Sequence, residues 1–339
     1  MDMEVRRVDP EDEAAFDAWY AVLQATDLER WPEFGGWSRR EVHSLVSATA
    51  AASEYLCVVA RDPSGVTVGI GLSEIPQRDN HHSASLDVRV LPAHRRRGVG
   101  AAIAAEVERL VAGEGRTVLN GLVEVPSAMV GSDPSSPFAR RLGFTVTQAG
   151  NRRHLTVPIE TGRRVQLDEE VSRAAVGYRT FTFVAPWPKE FLEDQCELSR
   201  RMSTDAPSGD ARHEEETWDA ARVEESDRLF TTQGLTKLVA VTQHMESGHL
   251  VAFSELVLPQ DHPHEAWQWA TLVLREHRGH RLGLAVKLAN LDLLATTAPE
   301  ANVVITGNAQ GNAPMIAVND MLGFQVVATG TFWQKELGT

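Results

Sequence analysis

The residues best suited to chemistry lie at two junctions. His94-Arg95-Arg96-Arg97-Gly98-Val99-Gly100 follows an apolar stretch ending in Val90, and His277-Arg278-Gly279-His280-Arg281-Leu282-Gly283 follows one ending in Leu274. Each junction reads as strand, basic glycine turn, helix. The first turn of an α-helix leaves four backbone N–H groups unpaired and carries about half a positive charge. An anion such as a pyrophosphate fits there. Glycine at 98, 100 and 283 lets backbone approach phosphate without a Cβ in the way. Arg95, Arg96, Arg97, Arg278 and Arg281 add charge and bidentate capacity. A P-loop is excluded because neither turn carries Gly-Lys-Ser/Thr. The dinucleotide fingerprint is a poor fit, since Gly98-Val99-Gly100 is followed by Ile103 at its third glycine position.

The elements that must present these turns occur twice. The His-Arg turn recurs 183 positions later, and Leu142-Gly143-Phe144 recurs as Leu322-Gly323-Phe324, 180 positions later. The shared spacing predicts two copies of one domain: residues 1–158, a polar linker at 159–177 that includes a helix near Asp168–Ala175, and residues 178–339. In the first copy, alternation and β-branched residues predict strands at Met3–Val8, Tyr55–Ala60, Thr67–Leu72, Leu86–Val90 and Thr117–Val123. Helices are predicted at Glu11–Thr26, Arg39–Ala51, Gly98–Ala112 and around Phe138–Leu142, and two short strands, Phe144–Thr147 and His154–Val157, close the copy. The second copy repeats this order. Its helices are predicted at Pro188–Met202, Asp219–Thr232, Leu282–Ala295 and Asn312–Met321, with a loop at Ser203–Trp218 marked by Pro207 and Gly209. Short strands Gln325–Ala328 and Thr331–Lys335 end it. Strands cluster before a single crossover helix in each copy, which predicts a mixed α/β sheet rather than a doubly wound one.

Composition narrows the partners. The chain has 339 residues, 33 Lys and Arg against 47 Asp and Glu, and a formal charge of −14. An acidic surface argues against nucleic acid, whose phosphates need a basic face. No run reaches the ~18 apolar residues of a membrane span, and Met1–Pro10 lacks the apolar stretch of a signal peptide. The expectation is a cytoplasmic protein without membrane contact, monomeric or homodimeric. Cys57 and Cys196 form no Cys-x-x-Cys, so neither a disulfide framework nor a zinc cluster is expected. His81-His82, His262-x-His264 and His277-x-x-His280 lack a convincing carboxylate or cysteine set, so no metal is expected.

Arg95-Arg96-Arg97-Gly98-Val99-Gly100 matches Arg/Gln-x-x-Gly-x-Gly/Ala, and through it the sequence resembles the GNAT superfamily of acetyl-CoA-dependent N-acetyltransferases. Glu276–Leu284 and Asn308–Asn319 resemble the actinobacterial tandem members, arranged as in mycothiol synthase. The second turn departs from the motif at Arg281, where glycine is usual. The resemblance implies two tandem GNAT domains and direct acetyl transfer from acetyl-CoA to the amine of a small-molecule acceptor. It implies cofactor contacts at Val90, Arg95, Arg96, Arg97, Gly98, Val99, Gly100 and Ala101. In the second copy the implied contacts are Leu272, Val273, Leu274, Arg278, Gly279, His280, Arg281, Leu282, Gly283, Leu284, Asn308 and Asn312. A backbone N–H in Leu272–Leu274 is the implied oxyanion donor. The tyrosine that often serves the family as an acid is replaced by Ala139 and Asn319.

The missing tyrosine leaves two alternatives open, a non-catalytic acyl-CoA sensor and a protein N-acetyltransferase. The second copy keeps the asparagine-bearing helix and is the expected centre of turnover, with the first degenerate or supporting. An alkylamine with pKa about 10 must lose a proton to attack. Glu255 is the candidate base and Asn319 a candidate catalytic residue, while Glu74 carries a weaker claim and Asp87, alternating with apolar neighbours, reads as an outward-facing residue. Glu214-Glu215-Glu216 with Trp218, and Trp31, Phe34 and Trp37, would border the two acceptor pockets or simply form solvated and packed loops.

Overall fold

Apolar residues at helical spacing fix the crossover helices. Ile103, Val107 and Val111 are fully buried on one, and Leu284 and Leu288 hold the matching stripe on the other. The computed structural model describes residues 3–34, 36–48, 52–205, 209–210, 212 and 214–338. The last three residues of the predicted helix Arg39–Ala51, and Pro207 of the predicted loop, lie outside these.

In chain order the elements run β1 (Glu4–Val8), α1 (Glu13–Arg30), α2 (Arg39–Val46), β2 (Ser53–Arg61), β3 (Thr67–Pro76), β4 (Ser83–Ser85), β5 (Asp87–Val90), α3 (Val99–Gly113), β6 (Val118–Pro126), α4 (Ser135–Arg141) and β7 (Thr145–Thr156). There follow α5 (Thr161–Ala174), β8 (Tyr178–Val184), α6 (Leu192–Asp205), α7 (Ala220–Gln233), β9 (Leu235–His244), β10 (Leu250–Pro259), β11 (Glu265–Val273), α8 (Leu282–Thr297), β12 (Val303–Ala309), α9 (Ala313–Leu322) and β13 (Gln325–Glu336). Mixed pairing confirms the α/β class. Among the described residues no helix is long and apolar enough to cross a membrane.

The chain divides into two compact units, and they cut across the segments 1–158, 159–177 and 178–339. The first comprises 1–148, 210–213 and 330–339, and the second 149–209 and 214–329. In the first unit β1-β2-β3-β5 pair antiparallel in that order, and β4 runs parallel to β6. The last residues of β13 belong to this unit, where Gln334 donates to Asn120 and Lys335 pairs with Glu108. In the second unit β8-β9-β10-β11 pair antiparallel, β11 runs parallel to β12, and β12 pairs antiparallel with Gly150–Thr156 of β7.

Several expected boundaries move. The two closing strands expected in each copy are one continuous strand, β7 and β13. Gly150 is no break: a Cβ there would sit 2.8 Å from the Asn308 carbonyl oxygen, so glycine permits a close pairing of strands. The linker helix is longer than expected, running from Thr161, and it packs in the second unit. Leu167 is buried, and Arg164 pairs with Asp292 at 2.5 Å and with Asp168. The strand expected at Leu86–Val90 is β5, paired with β3, and a short unexpected strand, β4, precedes it and pairs with β6.

Candidate active site

In both units a pair of parallel strands comes apart. β4 follows β6 only as far as Ser85↔Asn120, where the Leu86 N–H still reaches the Asn120 carbonyl at 2.8 Å. β5 then turns to β3. The Leu91 N–H bonds Val68 O, so strand alternation leaves Val88 and Val90 with their backbone groups on the open edge. In the second unit β11 follows β12 over Glu265–Trp267 and then stays with β10. The Leu274 N–H is taken by Val251 O at 3.0 Å, so of the expected donors Leu272, Val273 and Leu274 alternation leaves Val273 on the open edge. Leu272 and Leu274 therefore cannot offer a free N–H there.

The two basic turns share a backbone. Arg95 Nε donates to Val90 O at 2.9 Å, and Arg278 Nε to Val273 O at 3.1 Å. Arg95 also forms a bidentate pair with Glu29, and Arg278 lies 3.4 Å from Asp205. These arginines brace the turn to the strand end. Two positions in each turn are left-handed: Arg96 (φ 63°) and Gly98 (φ 86°), against Gly279 (φ 90°) and Arg281 (φ 55°). Each turn thus places glycine at one strained position and arginine at the other. Arg281 lacks no partner glycine; Gly279 supplies it two residues earlier.

That exchange changes the surface. A Cβ at Gly98 would meet nothing within 4 Å. A cleft of about 710 Å³ opens there, lined by Arg96, Gly98, Gly100, Ala101, Phe138 and Leu142 among others. Val99 is buried, and Arg97 is exposed at the turn. A second cavity of about 470 Å³ follows the parted strands and shares Arg30, Val88, Ser135, Phe138 and Leu142 with the first. In the second unit the Arg281 side chain runs from the helix entry to Glu170 (3.2 Å) and to Met321 Sδ on α9 (3.5 Å). His280 leans on the Ala174 carbonyl at 3.3 Å, and His277 bonds the Tyr178 hydroxyl at 3.0 Å. Leu282 and Leu284 are core residues. Gly283 has ordinary contact with Val273, 3.6 Å from where a Cβ would stand.

Helix capping separates these entries from five other helices, though α4 also starts without a side-chain cap. Asp12, Ser38, Glu160, Asp219 and Asn312 cap α1, α2, α5, α7 and α9 with their side chains, whereas α3 and α8 have no side-chain cap. Unpaired donors beside an open cleft fit the phosphates of an acyl-CoA in the first unit. Among the described residues no group of three or more His, Cys, Asp or Glu is placed to hold a metal ion.

The expected asparagines serve the fold. Asn312 caps α9 by accepting from the Met315 N–H at 3.3 Å, and Asn308 Oδ1 accepts from Asn319 Nδ2 at 2.5 Å. Asn319 is fully buried and ties α9 to β12. Glu255 is 8% exposed and lines a cavity of about 340 Å³ in the second unit, with Lys237 Nζ 3.6 Å away. Glu74 accepts from the Ser53 hydroxyl at 2.7 Å. Composition gave no sign of a second cluster, Asp27–Arg89–Asp87, in the first unit. Arg89 joins Asp27 at 2.9 Å and Asp87 at 2.9 Å, and Asp87 and Arg89 line the parted-strand cavity. Burial raises the Asp27 pKa above the usual carboxylate value, against the opposing pull of Arg89. The alternation of Asp87 with apolar neighbours marks that strand, but only the parting of the sheet turns it toward a cavity.

Residues 17–144 match the family described as Acetyltransferase (GNAT) family. No curated protein matches the sequence. Among solved structures, a tandem GNAT protein from the clavulanic acid biosynthesis pathway, solved without AcCoA, is 26% identical over 100% of this chain and 99% of that one, with a TM-score of 0.80. A GCN5-related N-acetyltransferase from Sphaerobacter thermophilus is 14% identical over 98% and 95%, with a TM-score of 0.65. Saccharomyces cerevisiae N-myristoyltransferase with bound myristoyl-CoA is 10% identical over 100% and 80%, with a TM-score of 0.59; at that identity the likeness is one of fold. The matched first repeat and the whole-chain likeness together identify this protein as a tandem GNAT-fold acyltransferase.

Proposed function

We propose that the protein moves an acetyl group from acetyl-CoA to the amine of a small-molecule acceptor, and that the first unit holds the donor. The observation that carries this reading is the cleft of about 710 Å³ at the uncapped start of α3, sharing a wall with the cavity between the parted strands. It shifts the expected centre of turnover from the second repeat to the first. The donor's thioester supplies the activated acyl group. The N–H groups opening α3, with the exposed Arg96 and Arg97, hold its phosphates. The Val88 backbone N–H, on the open strand edge, orients the acyl oxygen. Phe138 and Leu142 shield the donor from water. On the acceptor side, Asp27 and Asp87 against one Arg89 leave one net negative charge, which draws in a protonated amine. Asp87, in the cavity wall, is the carboxylate assigned to take the proton the amine must lose.

Calorimetric titration of acetyl-CoA tests the placement. Arg96→Glu is expected to weaken binding tenfold or more, and Gly283→Glu in the second unit less than twofold. The reverse ranking overturns the assignment to the first unit. Acetyl-CoA binding with no free thiol released across a broad panel of amines overturns turnover itself.

A further inference from the structure

We propose, resting on the first unit as the donor site, that Arg30 is a positioning residue for donor binding. Its guanidinium latches the segment between the end of β6 and the start of α4, and the latch sets how tightly the cleft holds an acyl-CoA.

Arg30 is the last residue of α1, a helix fixed to its sheet through buried Phe16, Trp19 and Val22. The guanidinium donates to the Glu124 carbonyl at one end of the segment. At the other end it donates to Asp133 Oδ2 at 2.9 Å and to Ser135 Oγ at 3.1 Å. One side chain therefore closes a loop that has little else to hold it. No apolar residue from Ser127 to Arg141 is buried, and Val130 is 63% exposed. A segment with few buried apolar contacts opens easily unless polar bonds restrain it. In the second unit α9 has buried Asn319 and Leu322 and its own cap, Asn312. α4 has no buried residue and no such cap. The Asp133 side chain is 3% exposed, and its Oδ1 accepts from the Ser135 N–H at 2.8 Å. Removing one partner of so enclosed an ion pair strands the other charge.

The latch stands where it can act on the donor. Arg30, Met129, Asp133, Pro134 and Phe138 all line the cleft of about 710 Å³. A Cβ on Gly100 would stand 3.0 Å from the Phe138 ring, so α4 lies against the entry of α3. Arg30 and Ser135 also line the cavity between the parted strands, which places the guanidinium in the partition between the two spaces. With the latch open, the wall from Met129 to Phe138 moves away from α3 and the donor leaves faster. A guanidinium that only attracted phosphate would behave otherwise: losing Asp133 as a partner would free it and tighten binding. A latch is weakened by the same loss.

Stopped-flow binding of acetyl-CoA to the intact chain separates the two. Arg30→Ala is expected to raise the dissociation rate tenfold or more, and Asp133→Asn threefold or more. The double variant is expected to match Arg30→Ala, since both changes break one contact. KM for acetyl-CoA is expected to rise in step while kcat stays within twofold, a split that general loss of folding would not produce. Arg30→Lys keeps the charge but lacks the fork that bridges both ends of the segment. It is expected to fall between wild type and Arg30→Ala, and it decides the matter if Arg30→Ala does not fold. Tighter binding in Asp133→Asn, additive losses in the double variant, or an equal fall in kcat overturns the latch. Amide hydrogen exchange without donor gives a readout independent of the donor site. Arg30→Ala is expected to speed exchange tenfold or more within residues 127–138 and to leave the second unit unchanged. If Arg96→Glu leaves acetyl-CoA binding intact, the donor reading has failed; faster exchange in Arg30→Ala then still shows the latch, and unaltered exchange overturns it.

Discussion

At the first turn the left-handed residue that enters the helix is Gly98, and space lies open beside it. At the second, the same place in the same backbone is Arg281, whose side chain reaches Glu170 and Met321. The missing glycine has not been lost; it stands at 279, where the first turn carries Arg96. One backbone is therefore written by two sequences. A left-handed non-glycine residue costs about 1–2 kcal/mol, and each turn bears that cost once. The difference lies in where the arginine projects, and so in whether the helix entry stays open.

Moving that arginine should have the largest effect. Gly98→Arg puts arginine where the second turn carries Arg281, whose backbone shows that arginine is accepted there, while Arg96 keeps its own left-handed position and the turn bears the cost a second time. Acetyl-CoA affinity, read by calorimetry, is expected to fall thirtyfold or more while stability drops by only about 1–2 kcal/mol. Undiminished binding would break the comparison. Next, Asp87→Asn is expected to lower kcat/KM for amine acceptors about tenfold with acetyl-CoA affinity unchanged, measured by thiol release; an equal loss in both would make Asp87 a part of the fold alone.

The crossover helices supply a third contrast. Ala104 on α3 is matched on α8 by Lys287, only 3% exposed, whose ammonium lies 5.6 Å from the Phe324 ring. Burial lowers its pKa to about 7. The unfolded chain therefore holds more protons than the folded one between about pH 7 and the ordinary lysine range. This group's contribution is full at high pH and is lost as pH falls toward 7. Lys287→Met is expected to stabilise the protein at pH 7 by about 1–4 kcal/mol and to flatten the rise in stability above that pH in denaturant titrations. A destabilised Met variant would show that the ammonium has a partner role. The smallest effect concerns His154 on β7, whose pKa is lowered to about 4 by burial and then by Arg152. Its contribution is present above the usual histidine value and fades as pH falls toward 4. His154→Gln is expected to shallow that acid limb in thermal melts.

The repeat, the mixed sheet and the first basic turn were legible because they rest on local pattern: strand alternation, helical spacing, and a Leu-Gly-Phe that recurs. The Gly279–Arg281 exchange was visible as letters, but its meaning needed the two φ angles. Glu255 was legible as a strand carboxylate, yet its lysine partner comes from the neighbouring strand, a pairing that no spacing announces. The cap that Asn312 makes and the bond between Asn308 and Asn319 were not legible, because exposed and buried asparagines look alike in sequence. The continuity of β7 was not legible either, because a glycine that ends a strand and one that, like Gly150, lets two strands approach are the same letter.

The first unit takes its closing residues from Gly330 onward. Trp333 packs in the core of that unit with Ile103 and Leu119, and the Leu337 N–H bonds Thr117 O. During synthesis the first unit must therefore wait, with part of its core uncovered, until nearly the whole second repeat has been translated. The protein is built in an order that leaves its N-terminal half to be finished last.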